Sequence, residues 1–264
     1  NGTGTLTLAA AGNYTGATTV NAGVVAVQNA TGLGTTAGAT TVAATGAAVQ
    51  IDGSGLTIAE ALTLNGTGVN TGGALRNLAN ANSWTGAITL GSASRINSDT
   101  GGTLTIATGG ITGAGLNLTV GGAGNTASSA VLGTTTGTLT KDGAGTLTLS
   151  GANTYSGTTT LAAGTLNANA SAALGDGSAT NTLIFTGGTL QAGGTITSPS
   201  TRTVTLTSTG IIDTNSNSVS IAGVMSGAGG LTKNGAGTLT LTGVNTYTGA
   251  TTLAAGTLNA NASA

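Results

Sequence analysis

The sequence predicts an all-β protein in which short parallel strands stack into a β-helix, or β-solenoid. Three observations support this prediction. One segment recurs almost unchanged, aliphatic and polar residues alternate along short runs, and glycines separate these runs at close intervals. Segments that recur along a chain indicate stacked repeats, and an alternation with period two indicates half-buried strands.

The recurring segment is 34 residues long and covers residues 139–172 and 231–264. Aligned without a gap, the two copies are identical at 29 positions. A third copy, over residues 2–30, keeps the Thr-Leu-Thr-Leu run, the tyrosine and the Thr-Thr-aliphatic run. Equivalent leucines in the three copies (Leu8, Leu149 and Leu241) lie 141 and 92 residues apart. Both intervals are near multiples of about 23 residues, which predicts roughly six and four turns of a solenoid.

The strands are predicted from alternation in runs such as Thr5–Leu8 and Leu116–Val120, and glycines or turn dipeptides such as Asp52-Gly53 and Asn65-Gly66 end them. Outside the two clear copies, the predicted strands are Thr5–Leu8, Thr18–Asn21, Val24–Gln28, Thr40–Val42, Val49–Ile51, Leu56–Ile58, Leu62–Leu64, Leu104–Ile106, Leu116–Val120, Leu183–Phe185, Thr189–Gln191, Val204–Leu206 and Val219–Ile221. The least regular part is residues 68–91.

Disorder, a sandwich and a propeller are the alternatives. Disordered chains combine low hydrophobicity with high net charge, whereas this chain has a mean hydropathy of +0.30 and a net charge of −1. Sandwich cores rely on aromatic residues, and only 2% of this chain is aromatic. Small side chains at recurring positions suit a narrow interior in which Thr and Asn form ladders about 4.8 Å apart.

Charged residues make up 4% of the chain, far below the roughly 25% of an ordinary soluble domain. So few charges predict self-association, end to end or laterally. The chain carries no basic patch for nucleic acid, and no apolar run is long enough for a membrane span. Without His or Cys, catalytic triads and the usual zinc sites are excluded. We expect no cofactor and no metal site.

Six acids remain as candidates for a carboxylate site: Asp52, Glu60, Asp99, Asp142, Asp176 and Asp213. They are scattered along the chain, so they are interpreted as isolated turn and surface acids rather than as catalytic residues. Lys141 and Lys233 are predicted on exposed turn faces. The tyrosines of the three copies are predicted to pack over the turn before the Thr strand. Trp84 matches no repeat position and is therefore the candidate for a surface contact with a ligand.

Residues 143–169 and 235–261 resemble the passenger-associated repeat of bacterial autotransporters, also called the autotransporter-associated β-strand repeat. The matching residues of the first copy, including the lysine just before the segment, are Lys141, Gly143, Gly145, Leu147, Leu149, Gly151, Asn153, Tyr155, Gly157, Thr159, Leu161, Gly164 and Leu166. Those of the second are Lys233, Gly235, Gly237, Leu239, Leu241, Gly243, Asn245, Tyr247, Gly249, Thr251, Leu253, Gly256 and Leu258. The opening copy departs from the motif at Ala10 and Gly12. The resemblance implies a right-handed parallel β-helix that is secreted and displayed on the bacterial cell surface.

We therefore expect residues 1–264 to form a single right-handed parallel β-solenoid, an elongated rod of about 11–12 rungs and roughly 55 Å. We expect the chain to be a fragment of a longer repeat protein. Its expected function is non-enzymatic and extracellular, as a segment of a surface fibre, stalk or adhesin that self-assembles into filaments. Partners would be other copies, or a host or substrate surface or polysaccharide. The alternative is a ligand-binding face for ice or polysaccharide, suggested by Thr rows such as Thr158–Thr160 and Thr251–Thr252.

Overall fold

A computed structural model of the protein describes residues 2–261. These residues form thirty short strands, and every strand pairing among them is parallel. The described chain contains no α-helix, and its two short 3-10 turns are Val69–Thr71 and Ser171–Leu174. Each strand pairs with the strand one turn before it in the sequence, with the strand one turn after it, or with both. The chain is therefore a parallel β-solenoid, as the sequence predicts.

The solenoid has three faces, which we call A, B and C in the order in which the chain visits them. Face A consists of β1 (Thr5–Leu8), β3 (Gly23–Val27), β5 (Ala47–Ile51), β8 (Leu75–Asn77), the second half of β10 (Ile88–Ser98), β13 (Leu118–Gly121), β16 (Leu139–Lys141), β18 (Thr159–Leu161), β20 (Leu183–Phe185), β23 (Val204–Leu206) and β26 (Met225–Ser226).

Face B begins only at the third turn. It consists of β6 (Thr57–Ile58), β9 (Asn80–Trp84), β11 (Gly102–Ile106), β14 (Asn125–Ser128), β17 (Thr146–Leu149), β19 (Thr165–Ala168), β21 (Thr189–Ala192), β24 (Gly210–Asp213), β27 (Leu231–Asn234) and β29 (Thr251–Leu253).

Face C is built from two series of strands. The first is β2 (Thr18–Val20), β4 (Ala39–Val42), β7 (Ala61–Gly66), the first half of β10, β12 (Ile111–Thr112) and β15 (Leu132–Gly133). The second is β22 (Ile196–Ser198), β25 (Ser218–Ile221), β28 (Thr238–Leu241) and β30 (Thr257–Ala260). Strand β10 bends from face C to face A, because its register shifts between Leu90 and Ser94.

The core is a narrow column of aliphatic side chains stacked in register. On face A, Val25, Val49, Leu75, Ile96 and Val120 are successive Cα partners. Partners lie 19 to 28 residues apart, and the chain completes about twelve turns. The predicted turn length and the predicted 11–12 rungs are confirmed.

The region predicted as least regular, residues 68–91, contains β8, β9 and the start of β10. Two of its asparagines, Asn77 and Asn82, hide the alternation, because they are buried where aliphatic residues are expected. Asn82 is buried; its Oδ1 accepts from the Leu56 backbone N–H at 2.9 Å and its Nδ2 donates to Asn77 Oδ1 at 2.8 Å. Buried amides that find partners across rungs replace apolar contacts without breaking the sheet.

The three repeat copies lie on different faces. Their Thr-Leu-Thr-Leu strands are β1 on face A, β17 on face B and β28 on face C. Each interval between copies is therefore a whole number of turns plus one further face, rather than the simple multiple predicted from the spacing. The solenoid cross-section accepts the same sequence on any of its three sides.

Candidate functional site

The lysines of the two clear copies are buried. Lys141 is 2% exposed, and its Nζ donates to the carbonyl oxygens of Asp142, Gly143 and Ala163 at 2.6, 2.8 and 3.2 Å. Lys233 is fully buried in an equivalent cage. Its Nζ donates to the carbonyl oxygens of Asn234, Gly235 and Ala255 at 2.9, 2.7 and 3.0 Å. The prediction that these lysines mark exposed turns is wrong.

Glycines of the motif make room for this ammonium cage. Gly143 and Gly164 both have positive φ, +69° and +64°, which favours glycine. A Cβ on Gly164 would lie 2.8 Å from the Lys141 Nζ and would overlap with the Gly143 carbonyl oxygen. Burial lowers the pKa of Lys141 from 10.5 to about 8, an effect that Asp142 partly offsets. Burial also lowers the pKa of Lys233.

The tyrosine of each copy bonds to a threonine four residues later. The Tyr155 hydroxyl lies 2.7 Å from Thr159 Oγ1, and the Tyr247 hydroxyl lies 2.7 Å from Thr251 Oγ1. Tyr155 is fully buried, and burial raises its pKa to about 12. Tyr155 thus packs inside the solenoid before the Thr strand, whereas the equivalent Tyr14 is 41% exposed.

The motif asparagine joins three rungs. Asn153 Oδ1 accepts from the Leu132 backbone N–H at 2.8 Å, and its Nδ2 donates to the Ala173 carbonyl at 2.6 Å. Asn245 accepts from the Met225 N–H in the same way. Asparagine thus continues the hydrogen-bond ladder where the motif has no strand.

Four charged residues form two ion pairs on the outer side of face A. Arg76 pairs with Asp99 at 2.6 Å, and Arg95 reaches Asp142 two turns away with both oxygens at 2.7 Å. Arg95 crosses the intervening turn at Gly121, where a Cβ would overlap with its guanidinium and with the Asp142 carboxylate. Asp99 and Asp142, candidates for a carboxylate site, are therefore partners of arginines.

Arg202 is a third buried cation, 1% exposed. Its guanidinium donates to Asn181 Oδ1 at 2.9 Å, to the Gly175 carbonyl at 3.0 Å and to Ser171 Oγ at 3.0 Å. Sequence reasoning missed this site because Arg202 belongs to no repeat copy, and the preceding turn at Pro199 was its only signal. All five basic side chains of the protein are thus paired with an acid or enclosed by neutral acceptors.

The other acids do not converge. Asp52 accepts from Gln28 Nε2 at 2.7 Å, Asp176 accepts from the Ser178 N–H in a tight turn, and Asp213 accepts from Gln191 Nε2 at 2.8 Å. Gln191 also accepts from Asn167, so Asn167, Gln191 and Asp213 form a ladder along face B. Within residues 2–261, no group of three or more Asp or Glu side chains is placed to hold a metal ion.

Trp84 is fully buried, and its Nε1 donates to the Glu60 carbonyl at 2.9 Å. The prediction of a surface contact at Trp84 is wrong, because the ring fills the interior of the third and fourth turns. Its irregular surroundings reflect buried amides and not a binding loop. No described helix is long and apolar enough to cross a lipid bilayer.

Face C carries a column of threonines on five successive turns: Thr19, Thr41, Thr63, Thr89 and Thr112 are Cα partners in order. Each is exposed or half-buried. The Thr row predicted at Thr158–Thr160 is different, because the Thr159 side chain points inward and is fully buried.

Comparison with known families gives one match. Residues 1–27, 139–168 and 231–260, about a third of the chain, match the family described as passenger-associated-transport-repeat. These segments coincide with the three copies found in the sequence. No curated protein and no solved structure matches the chain significantly.

Proposed function

From three passenger-associated-transport repeats carried on a β-solenoid of passenger type, we propose that this chain is a non-enzymatic structural rod. It would form a segment of a fibre, stalk or adhesin that is secreted and displayed on a bacterial surface. The repeat match supports the location, and the stacked fold supports the mechanical role.

One observation carries the proposal: the polar residues of the repeat motif are used between or within rungs. The ammonium of Lys141, the hydroxyl of Tyr155 and the amide of Asn153 all bond to groups of the same rod. A motif that recurs because it serves a ligand would leave such groups free. This motif instead closes a turn and attaches it to the next one.

Deletion of residues 142–233 tests the structural role. It joins Lys141 directly to Asn234, so the junction reads as an intact copy and every contact within that copy is retained. The rod should shorten by about four turns, or roughly 20 Å, while the chain remains folded. Small-angle X-ray scattering would measure the length, and a surface epitope fused ahead of the chain would report display. Unchanged display with the shorter length is expected. Loss of a specific binding or catalytic activity upon deletion would contradict a purely structural role.

Self-association is part of the same proposal. Because the basic residues are paired or buried, the outer surface has few free charges. Repulsion between rods should therefore be weak. Sedimentation velocity in 50 mM and 500 mM NaCl would test it. Association that persists at both salt concentrations is expected, whereas a monomer at both would contradict it.

Ice binding is the second candidate function, and the five-threonine column of face C favours it. Thermal hysteresis of the native chain should be compared with that of Thr63→Tyr on face C. Thr140→Tyr is the matched control, because Thr140 is a half-buried outward residue of face A. Hysteresis that is lost only in Thr63→Tyr would support ice binding. Hysteresis absent from the native chain would exclude it.

A further inference from the structure

A cavity of about 280 Å³ lies on the side of face B where the first two turns have no strand. The loop at residues 30–36 forms one wall, and Thr57, Ala59 and Glu60 form the other. Ligand sites usually occupy roughly 300–1,000 Å³, and this cavity lies just below that range, which limits it to a small molecule. Leu33 and Ala59 give it apolar walls, and Thr31, Thr35 and Thr36 supply hydroxyl groups.

Glu60 lines this cavity and is only 4% exposed. Its carboxylate accepts one long hydrogen bond, from Thr40 Oγ1 at 3.4 Å. Neither ion pair of the described residues includes Glu60, and the arginines and lysines are engaged elsewhere. Burial raises the pKa of this carboxyl, and the Thr40 hydrogen bond only partly opposes that rise. A buried carboxylate is unfavourable unless a cation or several donors compensate it.

The Thr35 hydroxyl is the second polar group of this cavity, after the Glu60 carboxylate, that lacks a sufficient partner. Its Oγ1 atom is buried and has no hydrogen-bond partner among the described residues. Buried hydroxyls in folded proteins nearly always have a partner, so an unpaired one beside a cavity marks a place for a polar group from outside. The cavity therefore joins an uncompensated carboxylate with an unsatisfied hydroxyl.

We propose that this cavity binds a small organic ammonium ion that also carries hydroxyl groups, such as a protonated amino sugar. The ammonium pairs with the Glu60 carboxylate. Rotation of the Thr35 side chain, which lines the cavity, turns its Oγ1 atom toward a ligand hydroxyl. The carbon skeleton contacts Leu33 and Ala59. This site is separate from the structural role proposed above and does not depend on it.

Trp84 offers a direct readout, because it is the only tryptophan and its Nε1 donates to the Glu60 carbonyl. Titration of the full chain with glucosamine at constant ionic strength should shift the Trp84 emission with saturation. A ligand of about a dozen heavy atoms is expected to bind with a Kd on the order of 1 mM. Glucose is the matched neutral ligand, and it should bind at least tenfold more weakly.

Two variants and one control variant locate the site. Glu60→Gln keeps the shape and removes the charge, and it should weaken glucosamine at least tenfold. Asp176→Asn removes the same charge in a turn several rungs away and should leave the Kd unchanged. Thr35→Val should weaken binding severalfold while the Tm of the ligand-free protein stays equal or rises, since the variant removes an unpaired buried hydroxyl. If Thr35 had only a structural role, Thr35→Val would not weaken binding while leaving the Tm equal or higher.

The proposal is overturned by no saturable response to glucosamine, by equal binding of glucose and glucosamine, or by unchanged affinity in a folded Glu60→Gln variant. It is supported by selective binding of the ammonium form that depends on Glu60 and Thr35.

Discussion

The copies at 139–168 and 231–260 have nearly the same sequence but different surroundings. Leu161 is fully buried in the first copy, and its equivalent Leu253 is 52% exposed in the second. Tyr155 is fully buried, and Tyr247 is half-buried. Within residues 2–261, β20 and β21 cover the first copy, whereas β29 and β30 of the second pair only with strands of the turn before them.

What the two copies share is the geometry within each copy, including the contact from the lysine to a carbonyl one turn later. Both lysines sit in cages of three carbonyls, and both tyrosines bond to a threonine at 2.7 Å, although the copies lie on different faces. One copy thus specifies its own turn, and its neighbours supply its burial. Such nearest-neighbour stabilisation is typical of repeat proteins.

The largest expected difference between the copies is in aliphatic packing. Leu161→Ala should lower the free energy of unfolding by about 3 kcal/mol, because it leaves a cavity between Lys141 and Phe185. Leu253→Ala should lower it by less than about 1 kcal/mol, because half of that side chain is already in water. Urea denaturation of both variants measures the two values. Equal losses would contradict the role assigned to the covering turn.

The buried lysines predict a stability that rises with pH. In the folded state Lys141 has a pKa near 8, below its ordinary 10.5, so above pH 8 the unfolded chain binds more protons and unfolding becomes less favourable. The gain should be on the order of 2 kcal/mol by pH 10. Above pH 10 stability should fall, because Tyr155 resists ionisation up to about pH 12 whereas an unfolded tyrosine does not. Urea midpoints from pH 7 to 11 test this maximum, and the double variant Lys141→Met, Lys233→Met should abolish the rise.

Removal of the tyrosine hydroxyl should show a smaller difference in stability between the two copies. Tyr155→Phe should cost about 1–2 kcal/mol, because the buried Thr159 hydroxyl loses its partner. Tyr247→Phe should cost less than about 0.5 kcal/mol, because water can replace the partner of the exposed Thr251. Adding Thr159→Val to Tyr155→Phe should recover part of the loss, and no recovery would mean that the hydroxyl pair is not the cause.

The smallest effect is expected at Asp142, which is Asn234 in the other copy. Only the first copy has an arginine two turns earlier, so Asp142→Asn removes the Arg95 ion pair. The pair is partly exposed, and its loss should cost about 0.5 kcal/mol at low salt and less in 1 M NaCl. Asn234→Asp should bring no gain. A salt-independent loss in Asp142→Asn would point to a different cause.

The sequence was sufficient to predict the fold class and the turn length, because these depend on alternation and spacing. It was not sufficient to predict the burial of Lys141, because the acceptors of its ammonium are backbone carbonyls, which any residue supplies. The signal that could have placed it is the pair of glycines at 143 and 164, which leave room for an ammonium.

The burial of Trp84 and the face on which each copy lies could not be predicted for a different reason. The inward position of Trp84 could not be predicted, because the nearby Asn77 and Asn82 occupy core positions with paired amides and asparagines in a sequence indicate turns. The face of a copy depends on the summed lengths of all the intervening turns, which vary from 19 to 28 residues. Small changes in loop length accumulate to a third of a turn.

Hydrogen exchange of the two copies tests the central claim most directly. Their peptides have almost the same intrinsic exchange rates, so any difference reports the structure around them. We predict that the amides of β18 and β19 exchange at least about a thousandfold more slowly than those of β29 and β30. Equal protection in the two copies would contradict the claim that each copy forms its own turn and that neighbouring turns provide its stability.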